Sequence, residues 1–161
     1  MSDTPAIEEL KTRARLLRNA SVRTNGGQLR LRDGLHEAAR EAGFQHWEHA
    51  RRVLGGQAEP GDDMGTFWHA PACHSLLNGW FAHLERAREA QAMQPGSFLL
   101  PYARQFVVAQ DDYVRALGLD PADPAWLQLR RDLPGGYGSA AWRTLCLQRL
   151  RASRAGHGVS R

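Results

Sequence analysis

A polar stretch divides this chain into two parts whose sequence patterns differ. Residues 57–65 read QAEPGDDMG and contain one proline and two glycines, a composition typical of connectors between folded modules. The chain has 161 residues, which is enough for one ordinary domain or two small ones. We therefore predict an N-terminal module over residues 1–56, a linker over residues 57–65 and a second module over residues 66–155.

The first module has the pattern of three helices. Thr4-Pro5 is a helix start, with a capping hydroxyl followed by proline at the first helical position. The first helix is expected to fade near Val22, because Asn25-Gly26-Gly27 favours a turn. A second helix is predicted over residues 32–42, and a third over residues 45–54. One apolar stripe on the first helix is formed by Ile7, Leu10, Ala14 and Leu17.

The second module mixes strand-like and helix-like segments, so the whole chain is predicted to be α+β, with a small sheet packed with helices. Residues 66–69 fit a short strand, and residues 76–81 fit either a strand or the start of a helix. Two apolar runs of strand length follow at residues 98–100 and 106–108. Helices are predicted over residues 82–93, 111–117 and 124–129, and from Ser139 onward.

Composition narrows the class of protein. The net charge is +4, the isoelectric point is about 9.7, and Lys11 is the only lysine among the basic residues. This bias towards arginine, alanine and glycine predicts a bacterial source. No apolar run has the length of a membrane span, and the polar start predicts a cytoplasmic protein. Cys73 and Cys146 are predicted to be free thiols.

Two segments resemble known bacterial sequences. The segments at residues 10–20 and 29–56 carry a basic first helix and the corner Gly43-Phe44-x-x-Trp47. They resemble the small helical module at the N-terminus of bacterial proteins of the glyoxalase superfamily or of plasmid-related type. Residues 98–126 are similar to a domain of uncharacterised bacterial proteins. Neither resemblance implies an activity, and no glyoxalase metal-binding pattern follows the first module.

The arginines carry the first functional hypothesis, a non-enzymatic binding or regulatory protein. Arginine pairs with phosphate through two parallel N–H bonds, and a basic helix face suits a nucleic-acid backbone. A protein partner is the other class of ligand predicted for the same surface. The candidate contact residues are Lys11, Arg15, Arg18, Arg51, Arg52 and Arg149. Acidic residues on the first three helices reduce this positive field.

The alternative hypothesis is a small enzyme in the second module. His69, Cys73, His74 and His83 are the densest set of potential metal ligands, and Cys73 with His69 or His74 is the minimum for a cysteine nucleophile. The predicted site lies around His69, Cys73 and His74, with Arg104 and Asp112 as polar partners. The spacing fits no zinc motif, so no metal and no cofactor is predicted. The aspartates Asp111, Asp112, Asp120 and Asp123 occupy positions where helix caps are expected.

A third hypothesis is an adaptor that binds a partner through exposed aromatic residues. Tyr102, Arg104 and Gln105 are expected at the tip of a hairpin. Together with Trp68, Trp80 and Trp126 they could line a pocket, because ligand sites combine aromatic rings with a few polar groups. The competing interpretation is that these tryptophans are buried in the core.

Overall fold

The computed structural model describes residues 3–25 and 30–158 and confirms the α+β class. Within these ranges it has seven α-helices and one antiparallel sheet of three strands. The chain divides into two compact units, residues 1–58 and 59–161. In the described residues, no helix combines the length and the apolar character needed to cross a membrane.

The first unit contains α1 (Pro5–Asn25), α2 (Leu31–Glu41) and α3 (Trp47–Leu54). The hydroxyl of Thr4 accepts a bond from the Ile7 amide at 3.4 Å and donates to the Leu54 carbonyl at 2.9 Å. Thr4 therefore caps the start of α1 and ties it to the end of α3. The predicted turn residues Gly26 and Gly27 lie outside the described residues.

The core of the first unit is the apolar stripe of α1. Ile7, Leu10 and Ala14 are almost completely buried, and they belong to the same unit as the buried Ala38 of α2 and Val53 of α3. A Cβ atom on Gly34 would lie 2.6 Å from the carbonyl oxygen of Ala14. Glycine is therefore required at this position, because α1 and α2 approach each other too closely for any side chain.

The predicted linker is partly folded. Residues 59–65 belong to the second unit, where the amide of Met64 donates to the carbonyl of Ala103 at 2.9 Å. The amide of Ala103 donates in return to the carbonyl of Gly65 at 2.8 Å. Polar composition is typical both of a linker and of a surface loop. Here the segment forms a surface loop that is bonded to a hairpin turn.

The sheet of the second unit consists of β1 (Gly79–Phe81), β2 (Phe98–Tyr102) and β3 (Gln105–Ala109), in the order β1-β3-β2. The prediction of a strand at residues 66–69 was wrong, because this segment forms a turn. For residues 76–81, where a strand and a helix start were both predicted, the structure has the short strand β1 at the end of this segment. The remaining elements are a 3₁₀ helix (Pro71–Ser75), α4 (Leu84–Met93), α5 (Asp111–Ala116), α6 (Pro124–Gln128) and α7 (Ala140–Gly158).

The two faces of the sheet have different neighbours. Leu99 and Val108 are paired across β2 and β3, and they pack with Ala87 of α4. Residues paired across antiparallel strands point to the same face, so Trp80, Val107 and Leu100 form the row on the opposite face. Because side chains alternate along a strand, Tyr102 lies on that opposite face as well.

Candidate functional site

Lys11, the first of the predicted contact residues, is engaged by acidic neighbours. Its ammonium donates a hydrogen bond to the Asp3 carboxylate, and a Glu8 carboxylate oxygen lies 3.9 Å away. The hydrogen bond from Lys11 lowers the pKa of Asp3, and the charge of Arg51 acts in the same direction. The charges of Lys11 and Arg51 therefore both act on Asp3. Lys11, which is bonded to Asp3, is less available than Arg51 to bind an external anion.

Arg15 and Arg18 remain open on α1. Arg15 is exposed and Arg18 is half-buried, and neither forms an ion pair or hydrogen bond with any residue that the structure describes. Their separation of three residues places both guanidinium groups on one side of the helix. Arg51 and Arg52 are exposed in the last turn of α3. The first unit thus has three exposed arginines among the predicted contact residues, and Arg18 is partly exposed beside Arg15.

Arg149, the last of the predicted contact residues, is half-buried and bonded to the backbone of its own unit. Its guanidinium donates three hydrogen bonds to backbone carbonyls of its own unit: Nε to Phe67 at 3.0 Å, Nη1 to Leu117 at 3.2 Å and Nη2 to His69 at 3.1 Å. The planar fork of five N–H donors makes this three-way contact possible. Through these bonds Arg149 joins α7 to the loop before the 3₁₀ helix and to the end of α5.

The second unit gathers histidine and aromatic rings around His69. The His69 ring centroid lies 4.7 Å from that of His74 and 5.2 Å from that of Tyr102. The Trp80 ring is 6.2 Å from His69 and 5.2 Å from Tyr102. Tyr113 lies beneath, 6.1 Å from His69. Most of these contacts are edge-to-face, the arrangement that aromatic quadrupoles favour.

The rings differ in their exposure to solvent. Trp80 is 44% exposed, whereas His69 and Tyr102 are half-buried and His74 is exposed. Tyr113 is buried, and its hydroxyl donates to the carbonyl of Trp68 at 2.6 Å. Burial also raises the pKa of the Tyr113 phenol far above its ordinary value. Tyr113 is thus the buried, hydrogen-bonded member of a cluster whose other rings are at least partly exposed to solvent.

Backbone strain occurs next to this cluster. Ala103, directly after Tyr102 in the β2–β3 turn, has a φ of 50°, in the left-handed region that residues other than glycine rarely adopt. The two hydrogen bonds from Met64 and to Gly65 hold this turn. Arg104 is exposed at the same tip and donates to the carbonyl of Gly61 at 3.3 Å. The strained turn fixes where Tyr102 leaves the strand.

The environment of His69 favours its neutral form. Burial lowers the pKa of His69, and the positive charges of His74 and Arg149 add to this effect. No carboxylate is among the groups that shift it. The imidazole of His69 is therefore mainly neutral at pH 7, which lies above its lowered pKa.

Cys73 lacks the properties of a catalytic nucleophile. It is 1% exposed, its sulfur faces the carbonyl of Tyr113 at 4.0 Å, and burial raises the pKa of its thiol. A nucleophilic cysteine needs a lowered pKa and access to a substrate. Cys146 is also buried with a raised thiol pKa, and both cysteines are free.

The aspartates of the second unit bond to backbone amides. Asp123 caps α6 through the amide of Ala125, and Asp112 accepts from the amide of Tyr113, each at 2.8 Å. Asp120 accepts from the amide of Ala122, and Asp111 lies 3.7 Å from the Arg115 guanidinium on the surface of α5. Within the described ranges, no three histidine, cysteine or acidic residues form a group able to hold a metal ion.

The predicted aromatic pocket is only partly assembled. Trp80 and Tyr102 do meet, but Trp68 and Trp126 are 2% and 0% exposed and belong to the core. Tyr113, which completes the cluster, was not singled out in the sequence. The only sequence signal for it is its place in the first turn of a helix that follows β3.

Comparison with known proteins yields no relative. No family model, no curated protein and no solved structure matches the chain. The resemblance of the first module to the glyoxalase-superfamily module therefore stays a prediction, as does the likeness of residues 98–126 to an uncharacterised bacterial domain.

Proposed function

We propose that this protein is a non-enzymatic binding protein that engages nucleic acid through the exposed arginines of its first unit. The observation that carries the proposal is the pair Arg15 and Arg18, open on one side of α1 without an acidic partner in the described part of the chain. Arg51 and Arg52 are further exposed cations of the same unit. Such side chains neutralise phosphates and release counterions, which drives association.

The alternative of a cysteine-dependent enzyme has less support. Burial raises the pKa of the Cys73 thiol, its sulfur faces the carbonyl of Tyr113, and the imidazole of His69 contacts other rings at the distances given above. Arg104 and Asp112 are both engaged with backbone groups. These contacts provide a structural role for each residue of the predicted catalytic group except His69 and His74.

The test is fluorescence anisotropy with labelled single-stranded RNA, single-stranded DNA and duplex DNA over a series of salt concentrations. The double variant Arg15→Ala/Arg18→Ala should bind more weakly, and the slope of log affinity against log salt for duplex DNA should become shallower by about 2, one for each lost phosphate contact. Affinity should fall for all sequences alike, because phosphate contacts carry no sequence information.

The matched control removes the same charge from the second unit. Arg86 and Arg115 are exposed on α4 and α5, so Arg86→Ala/Arg115→Ala changes the net charge equally. This control should leave the salt slope nearly unchanged. Equal losses in the two double variants would reduce the effect to net charge, and absence of binding at low salt would overturn the proposal.

A further inference from the structure

The second unit carries a partly exposed ring surface, which we call the aromatic surface: His69, His74, Trp80 and Tyr102. Trp80 stands on β1 and Tyr102 on β2, with β3 between the two strands. Both side chains lie on the same face of the sheet, and their rings meet over β3 at 5.2 Å and 80°. His69 contacts both rings from the loop before the 3₁₀ helix. The rings are thus held by one another before any ligand binds.

Trp80 differs from the other tryptophans of this unit. Trp68, Trp126 and Trp142 are at most 2% exposed, whereas Trp80 leaves 44% of its surface to solvent. The fold therefore buries indole rings completely where they serve the core. Its contact with Tyr102 is edge-to-face rather than stacked, and the exposed part of the indole is apolar surface on which a planar group from solvent can pack.

Charge distinguishes the possible occupants. Only His74 and Arg149, both cationic when charged, act on His69 through their charge, and Arg104 is exposed two residues after Tyr102. A partner that offers rings alone would give the exposed guanidinium of Arg104 no anion to bind. A nucleotide offers a planar base together with a phosphate, and neutral His69 accepts stacking without the cost of desolvating a charge.

We propose that the aromatic surface stacks the bases of single-stranded nucleic acid. This inference rests on the function proposed above and adds the class of substrate. Duplex DNA keeps its bases stacked internally, so only a single strand offers base faces to Trp80. The second unit therefore gives the protein a preference for single strands, while the arginines of the first unit bind phosphates of either form.

The experiment compares a labelled oligothymidylate of about 12 nucleotides, a length within the usual footprint of such proteins, with the same strand annealed to its complement. Trp80→Ala should weaken binding to the single strand by about 5- to 150-fold, the range expected for one lost base–aromatic stack. It should leave duplex binding within about twofold, and Trp80→Phe should retain most of the affinity because a ring remains. The control Leu127→Ala alters another exposed apolar residue, 62% exposed on α6, and should change nothing.

The outcomes separate the two proposals. If Trp80→Ala leaves single-strand affinity unchanged while Arg15→Ala/Arg18→Ala lowers it, the stacking inference fails and the proposed function stands. If only Trp80→Ala has an effect, the arginine proposal fails and the stacking surface stands. Equal losses for single strand and duplex, or displacement of the oligonucleotide by an equal concentration of thymidine monophosphate, would overturn the preference for strands. No binding to any nucleic acid would overturn both.

Discussion

Arg149 offers the sharpest test of how the second unit is held together. Replacing it by alanine removes the donor for three carbonyls, those of Phe67, His69 and Leu117, at 3.0 to 3.2 Å. A hydrogen bond to a charged group contributes about 1.5–3 kcal/mol, so the three together set an upper limit of about 4.5–9 kcal/mol. Arg149 is half-buried, and water replaces part of the lost bonding. We therefore expect Arg149→Ala to lower the free energy of unfolding by about 3 kcal/mol.

The measurement is urea unfolding followed by tryptophan fluorescence, with the midpoint and the slope reported separately. This signal reports mainly on the second unit, which contains four of the five tryptophans, namely Trp68, Trp80, Trp126 and Trp142. Arg151→Ala is the matched control, because Arg151 is exposed on the same helix, and it should change the free energy of unfolding by less than about 0.5 kcal/mol.

Lysine should not rescue the loss. Arg149→Lys keeps the charge, but a compact ammonium on a flexible stem does not reproduce the fork geometry that spans three carbonyls. The reasoning is refuted if Arg149→Ala and Arg151→Ala have the same stability. Loss of nucleic-acid affinity without loss of stability would instead restore the role predicted from the sequence, a direct phosphate contact.

Three further predictions concern the surroundings of the aromatic surface. Because the pKa of His69 is lowered in the folded state, protonation of its ring disfavours folding, and stability should fall as the pH drops below the ordinary pKa of 6.5. The melting temperature of His69→Gln should therefore depend less on pH between 8 and 5 than that of the wild type or of His83→Gln. Parallel curves would contradict this prediction. Ala103→Gly should raise the free energy of unfolding by about 0.5–1 kcal/mol, because relief of the left-handed φ outweighs the greater freedom of glycine in the unfolded chain. A melting temperature below that of the wild type would show that the turn is unstrained. Cys73 and Cys146 should react with iodoacetamide at neutral pH only after denaturation in urea, because both thiols are buried and have raised pKa values. Mass spectrometry measures the labelling. Rapid labelling of Cys73 in the native protein would support the enzyme hypothesis instead.

Local signals in the sequence predicted most of the helices. The capping residues Thr4 and Ser139 precede α1 and α7, and Gly43, with a φ of 99°, follows α2 as predicted. The proline after Asp123 marks the start of α6. These signals succeed because a cap or a left-handed glycine acts on its own few residues, whatever the rest of the chain does. The strand predicted at residues 66–69 was wrong because apolar side chains do not by themselves specify a strand. Here Phe67 and Trp68 are buried in the core from a turn.

The sequence by itself determined that the chain has an α+β fold with a helical first unit, and it marked the arginines and the residues around His69 as candidates. Only the tertiary structure shows what these side chains contact. It assigned Arg149 to three backbone carbonyls and buried Cys73. It also brought Tyr102 and Trp80 together across a strand. Helix periodicity reports which face of an element is apolar, but which distant groups meet depends on strand order and packing, and neither is written in local spacing.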